Sequence, residues 1–191
     1  MMRVTRTLPL GALALLLASS ACGPGEASSS TPVAAPTWTT YESDDHDFAV
    51  SYPPEWFKAD ESLTPYLEDP AEIVSVGTFS LAPGPSECAQ FAGHAMGEMN
   101  AGDALVSFQE SSGPLEGRYV VARPETPFSF ESGYETDAQE CVSDPVPFAD
   151  RLIPFTYGGR SFYAYAAWGE DVSAATKQDV LSVIESFKTT D

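Results

Sequence analysis

The sequence predicts an α+β domain: an antiparallel sheet of about six or seven strands with packed helices, an α-β-α sandwich. Three observations carry this. Short β-branched and aromatic runs recur between clusters of turn residues. Gly158-Gly159-Arg160 joins two such runs, and a glycine pair at such a joint marks a hairpin, because primed turns need positive φ. Two other segments space their apolar residues with a helical period.

Taken along the chain, residues 38–41 and 48–52 read as strands around the acidic turn Asp44-Asp45-His46-Asp47, and Pro53-Pro54 stops the second. Residues 73–81 are β-branched and apolar and read as a central strand, ended by Pro83-Gly84-Pro85. Ser86 then caps a helix, with Glu87 favourably placed in its first turn. Cys88, Phe91, Ala92, Ala95, Met96 and Met99 form its single apolar stripe. Gly93 and Gly97 lie off the stripe and each costs about 1 kcal/mol relative to alanine. Asn100-Ala101-Gly102 ends the helix.

Residues 104–109 and 119–122 read as further strands, Leu105 facing less consistently than Val106 and Phe108. Residues 123–147, rich in Pro, Glu and Ser, read as a long excursion. The glycine pair is flanked by strands at 152–157 and 161–168. On the second, Phe162, Ala164, Ala166 and Trp168 share one face and Tyr163 and Tyr165 the other, so it is expected to be covered on both sides. Residues 173–187 read as a helix whose stripe is Val180, Ile184 and Phe187, with Leu181 beside it. By length and composition, residues 37–191 make one globular domain.

The segment ahead of that domain has a different character. An apolar run from Leu8 to Ala21 follows Arg3 and Arg6, with no acid before it. At about 14 residues, broken by Pro9, it is short of the about 20 that a spanning helix needs. Small residues, Ala18-Ser19-Ser20-Ala21, close it against Cys22, so residues 1–21 read as a secretory signal peptide. The pattern resembles that of bacterial lipoproteins. The resemblance implies a thioether-linked diacylglycerol on Cys22, an N-acyl chain, and a place on the extracytoplasmic face of the cell membrane. Buried methylenes contribute about 0.8 kcal/mol each, and two or more chains hold stably. The competing reading is ordinary cleavage after Ala21, which leaves a reactive free thiol outside the cell. Residues 23–36, rich in Pro, Gly, Ser and Ala, read as a flexible tether reaching roughly 20 Å.

The chain has three cysteines. With Cys22 acylated, Cys88 and Cys141 remain as an even pair in an oxidising compartment and are predicted to form a disulfide. It closes a loop of about 54 residues, worth near 4 kcal/mol by chain entropy. The other reading is two separate buried thiols. A metal site is disfavoured, because two cysteines without a nearby histidine pair do not make one.

Formal net charge is −19, and removing residues 1–21 takes away two arginines and no acid, which moves it to −21. Such a chain lacks the basic footprint that nucleic acid requires, and it is repelled by anionic lipid. An acyl anchor then holds the domain against that repulsion.

Phe48-Ala-Val-Ser-Tyr-Pro-Pro-Glu-Trp56 resembles the opening strand of PsbP/Mog1-like domains, in which a strand ends in Tyr-Pro and a tryptophan follows. The block from Gly159 to Gly169, followed by a helix ending Ser186-Phe187, resembles secreted proteins and lipoproteins of actinobacteria, and residues 72–79 and 103–110 have the same character. The resemblance covers about residues 38–188. It implies an assembly or interaction factor rather than an enzyme and carries no catalytic residues.

The residues themselves offer few chemical motifs. Asp44, Asp45, His46 and Asp47, with Glu42 close by, form the densest ligand cluster, but the glycine and terminal glutamate of an EF-hand are missing. A solvated turn explains the same residues. His94 precedes Glu98 by four residues, a spacing that fits a surface pair. No Gly-x-Ser-x-Gly elbow, His-Glu-x-x-His or phosphate-cradling Gly-x-x-x-x-Gly-Lys is present. Tyr157, Tyr163, Tyr165 and Trp168 form the densest aromatic group, either core or one wall of an apolar cleft or partner surface. The expected function is therefore a non-catalytic envelope domain that binds a protein partner or an apolar ligand, with no cofactor. The alternatives are a secreted hydrolase using acidic residues and a divalent-cation-binding module at residues 44–47.

Overall fold

The computed structural model describes residues 37–86, 88–115, 119–142 and 147–190. The expected signal peptide, Cys22 and tether lie outside the described residues. Among the described residues the fold is α+β, mostly sheet, with two α-helices.

Strands β1 (Thr39–Ser43) and β2 (Phe48–Tyr52) pair antiparallel around the acidic turn, and β9 (Lys188–Thr189) adds to the far side of β2. The larger sheet contains β3 (Phe57–Lys58), β4 (Ala71–Gly77), β5 (Ala104–Ser111), β6 (Val121–Ala122), β7 (Phe148–Tyr157) and β8 (Arg160–Gly169), in the order β3-β4-β5-β8-β7-β6. The expected single sheet is thus two sheets, of three and six strands. The expected all-antiparallel pairing fails at one edge, where β6 runs parallel to β7. A parallel pair needs a crossover of a dozen or more residues. The excursion between β6 and β7 supplies it, so the same feature that broke the strand pattern reverses the direction of its neighbour.

The β7–β8 hairpin follows local chemistry. Gly158 and Gly159 have φ of 56° and 78°, a conformation closed to most side chains. Helix α2 (Ala174–Ser186) starts where Ser173 accepts a hydrogen bond from the Thr176 N–H at 3.0 Å, a side-chain N-cap. It buries Val180, Val183 and Ile184 on the larger sheet and on β2. The predicted stripe omits Val183, and Leu181 is only half-buried. Ser186 Oγ fastens the end of α2 to β2, accepting from the Ser51 N–H at 2.8 Å and donating to the Ser51 carbonyl at 2.9 Å. Phe187 then packs against Phe48, Phe108 and Phe162 at ring separations of 5.5, 4.9 and 4.9 Å. This layer, with Val74, Val76, Val106 and Ala164, is the main core.

The opposite face of the larger sheet is covered differently. The helix expected from Ser86 onward exists only as α1 (Gly93–Gly97), with no side-chain cap. Ser86 Oγ instead donates to the Cys88 carbonyl, closing a local turn. The predicted stripe is nevertheless buried: Phe91, Ala92, Ala95, Met96 and Met99 pack with Leu105, Tyr165, Ala167 and Phe148. Gly93 explains the short helix. A Cβ there would lie 2.3 Å from Ser86 Oγ and 2.6 Å from the Cys141 carbonyl oxygen, so the chain is bent by a close tertiary approach. The strand predicted for 73–81 starts two residues earlier and ends at Gly77. Beyond it Thr78 Oγ1 is engaged by Asp103 Oδ1 and the Ala104 N–H, both at 3.0 Å.

Candidate binding cleft

Strand alternation decides what faces this second layer. The register sets Gln109 beside Tyr163, Ser107 beside Tyr165 and Leu105 beside Ala167, while β4 places Glu72 beside Gln109 and Ser75 beside Ser107. This is the polar face of the sheet. Ser75, Ser107, Gln109 and Asp150 are all buried on it, and Ser107 Oγ has no hydrogen-bond partner among the described residues.

The apolar cover ends at Phe91. Past that edge Gln109 and Tyr163, on the paired strands β5 and β8, line a cleft of 220 Å³ together with Phe91, Gln90, Leu152, Tyr134, Leu67, Asp69 and Pro70. Sites for drug-sized ligands run from about 300 to 1,000 Å³, so this cleft is scaled to a single side chain or head group. Gln109 is oriented by a hydrogen bond from Nε2 to the Gln90 carbonyl at 3.2 Å. Asp69 accepts from the Ser112 hydroxyl and from the Ser112 N–H at 3.0 Å, and these bonds, the hydroxyl's first, hold its carboxyl below the usual aspartate range. Tyr134 is 45% exposed; partial burial, then the neighbouring Tyr163, raises its hydroxyl above the usual phenol range. Among the described residues no basic side chain lines the cleft.

Two neighbouring polar clusters have internal uses. The Glu72 carboxylate accepts from Ser62 Oγ, the Thr64 N–H, Thr64 Oγ1 and Ser75 Oγ at 2.6–3.1 Å, which pins residues 62–64 to β4. Asp150 accepts from the Thr136 hydroxyl and, at 3.3 Å, from the Thr136 N–H, fixing the excursion to β7. Tyr165, almost fully buried beside Asp150, donates to Met96 Sδ at 3.1 Å, and burial, then the Asp150 charge, drives its hydroxyl far above the phenol range. An acidic groove of 410 Å³ lies over Asp150, edged by Glu135, Asp137 and Glu140.

The candidate residues fall in separate places. Cys88 and Cys141 are bonded, with Cα atoms 5.2 Å apart and a sequence separation of 53. Asp44–Asp47 form the exposed β1–β2 turn. Arg160 holds it from beside: Nη2 donates to the His46 carbonyl at 2.7 Å and Nη1 to the Asp47 carbonyl at 3.1 Å, while Nε and Nη2 grip Glu110 at 2.8 Å. A guanidinium thus uses the carbonyls that a hard cation would take, and its charge opposes a second one. Among the described residues no group of three or more His, Cys, Asp or Glu side chains is arranged to hold a metal. The His94 ring packs against the backbone of Gly84, and Glu98 lies past the end of α1. Neither histidine lines the cleft.

The aromatic group disperses. Tyr165 enters the second core, Trp168 packs at a tilt against Phe130 in the first at 4.6 Å, and of the four only Tyr163 enters the cleft. Asp69, Gln90, Phe91, Gln109 and Tyr134 were not singled out as a site from sequence. They come from four segments, and only the alternation of Gln109 and Tyr163 on paired strands hints that any of them meet. Among the described residues no helix is long and apolar enough to cross a membrane. The chain matches no protein-family model and no curated protein.

Proposed function

We propose that this chain is a non-catalytic cell-envelope lipoprotein. In this reading acyl chains on Cys22 hold it at the outer face of the membrane, and its globular part is a PsbP/Mog1-like α-β-α sandwich that binds a protein partner or an apolar ligand. The cleft of Phe91, Tyr134 and Tyr163 carries the reading. It combines aromatic walls with an oriented amide, a pattern suited to recognition, and among the described residues no histidine or basic residue lines it beside the Asp69 carboxylate to share a proton. The signal-like segment ending at Cys22 supports the anchor.

Two measurements test this. Wild-type protein is expected in the membrane fraction and Cys22→Ala in the soluble fraction; equal partitioning refutes the anchor. A photoreactive residue at Tyr134 is expected to give a discrete adduct in intact cells, and one at the exposed Thr40 of β1 none. Turnover on a glycan or ester panel that disappears with Asp150→Asn would replace this reading with the hydrolase.

A further inference from the structure

We infer that the cleft takes an alkylammonium group, held against the rings of Phe91, Tyr134 and Tyr163 with the Asp69 carboxylate as its counter-charge. This deepens the binding reading above and rests on it.

Aromatic faces carry negative charge density and attract a cation lying within about 6 Å, most effectively where water is partly excluded. Three such rings line one small cleft, Phe91 buried, Tyr163 half-buried and Tyr134 at the mouth. Asp69 supplies the full negative charge. Its hydrogen bonds to Ser112 and Ser111 fix the carboxylate in place at the exposed rim of the cleft, where it stays ionised. The amides of Gln90 and Gln109 are neutral and bring no competing charge. Elsewhere in the molecule every aromatic–cation contact among those found is internal: Lys58 over Tyr41, Arg123 over Phe128, Arg160 over Phe162 and Lys177 over Trp168. Among the described residues the cleft is lined by the rings and the acid and by no lysine or arginine. The volume of 220 Å³ fits one head group. The chain's charge of −19 favours a positive ligand over a neutral or anionic one from the first encounter. An alkylammonium can arrive as a small quaternary ammonium compound or as the end of a partner's lysine side chain, and the same rings and carboxylate serve both.

The test titrates the full chain in detergent with choline, with dimethylbutanol (its neutral carbon isostere) and with an N-acetyl-lysine amide, read by calorimetry and by ligand-observed NMR. Choline or the lysine amide is expected to bind at least about tenfold more tightly than dimethylbutanol, with added salt weakening only the cations. Whichever cation binds better identifies the source. Asp69→Asn is expected to weaken that cation by about fivefold or more and to leave dimethylbutanol unaffected, and Tyr134→Ala, which removes a half-exposed ring, to weaken the cation by more than it weakens dimethylbutanol, each with the native circular dichroism retained. Equal binding of choline, the lysine amide and dimethylbutanol overturns the inference and leaves the cleft as an apolar site. Binding of none of the three overturns the inference and the cleft's role as a small-group site together.

Discussion

Reduction of Cys88–Cys141 is the sharpest perturbation of this fold. The bond joins the turn before α1 to the end of the excursion between β6 and β7, with a sequence separation of 53. In the chain-entropy treatment, opening a loop of that length returns about 14 cal/mol/K to the unfolded chain, or about 4 kcal/mol at room temperature. Little packing is lost with it, because the sulfurs remain where the second core buries them. For a chain of this size 1 kcal/mol shifts the melting temperature by about 2–4 °C, so the expected fall is about 8–16 °C. The measurement is thermal unfolding of the full chain with and without a non-thiol reductant, repeated on Cys88→Ala/Cys141→Ala. The loss is also directional. Amides of residues 93–97 should lose hydrogen-exchange protection before those of β5 and β8, because the bond secures α1 and not the sheet. A shift below about 3 °C, or alkylation of both sulfurs in native, unreduced protein, would refute the reasoning.

Gly169→Ala should destabilise the domain by about 3 kcal/mol in urea titrations, because its Cβ would lie 2.3 Å from the Ala101 carbonyl oxygen and 2.7 Å from Ala101 Cα, with only backbone to give way. Thr136→Val keeps the shape but strips the buried Asp150 of its hydroxyl donor, at an expected cost of about 1–3 kcal/mol; a neutral result would mean that solvent already serves that carboxylate. Asp179, on α2, has its carboxyl raised first by burial and then by the nearby Glu55. A raised acid binds its proton more tightly in the folded state, so its favourable contribution is complete below the unfolded aspartate range and is lost as pH rises through the folded value. Asp179→Asn should therefore raise the melting temperature at neutral pH and change it little in acid, and a gain confined to acid would reverse the sign.

What the sequence made legible was decided locally. The Gly158-Gly159 turn is written in two residues whose backbone chemistry has few alternatives, whereas the cap expected at Ser86 does not form and the one at Ser173 is not among the expectations. The α1 segment shows the limit. Its apolar period was a true report of burial and a false report of length, because periodicity records which side chains face inward and not whether the backbone between them is helical. Gly93 was read as an internal cost, but it is the point of contact with Cys141, which a scan of neighbouring residues does not contain. The parallel β6 and the two-residue β9 depend on distant partners in the same way. Of the cleft, Tyr163 was visible as one of four aromatics; Asp69 and Tyr134 stand in aperiodic loops, and nothing in a loop's composition says which strand it will overhang.

The two faces of the large sheet divide the work. Towards α2 the layer is apolar throughout, with Phe48, Phe108, Phe155 and Phe162 all gathered on Phe187. Towards α1 the sheet presents Ser75, Ser107, Gln109 and Asp150, under a cover of one five-residue helix, a 3-10 turn at Ala138–Cys141 and irregular chain. Ser107 is buried there with no hydrogen-bond partner among the described residues, a loss of about 1–3 kcal/mol that an alanine would avoid. The disulfide compensates at just this layer, because it stabilises without requiring apolar burial. Polar groups on a rigid sheet, beneath a cover held by a covalent bond, are an arrangement in which recognition surfaces can be placed without risk to the core. The cleft opens where that cover stops, so its walls can change while the Phe187 cluster keeps the domain folded.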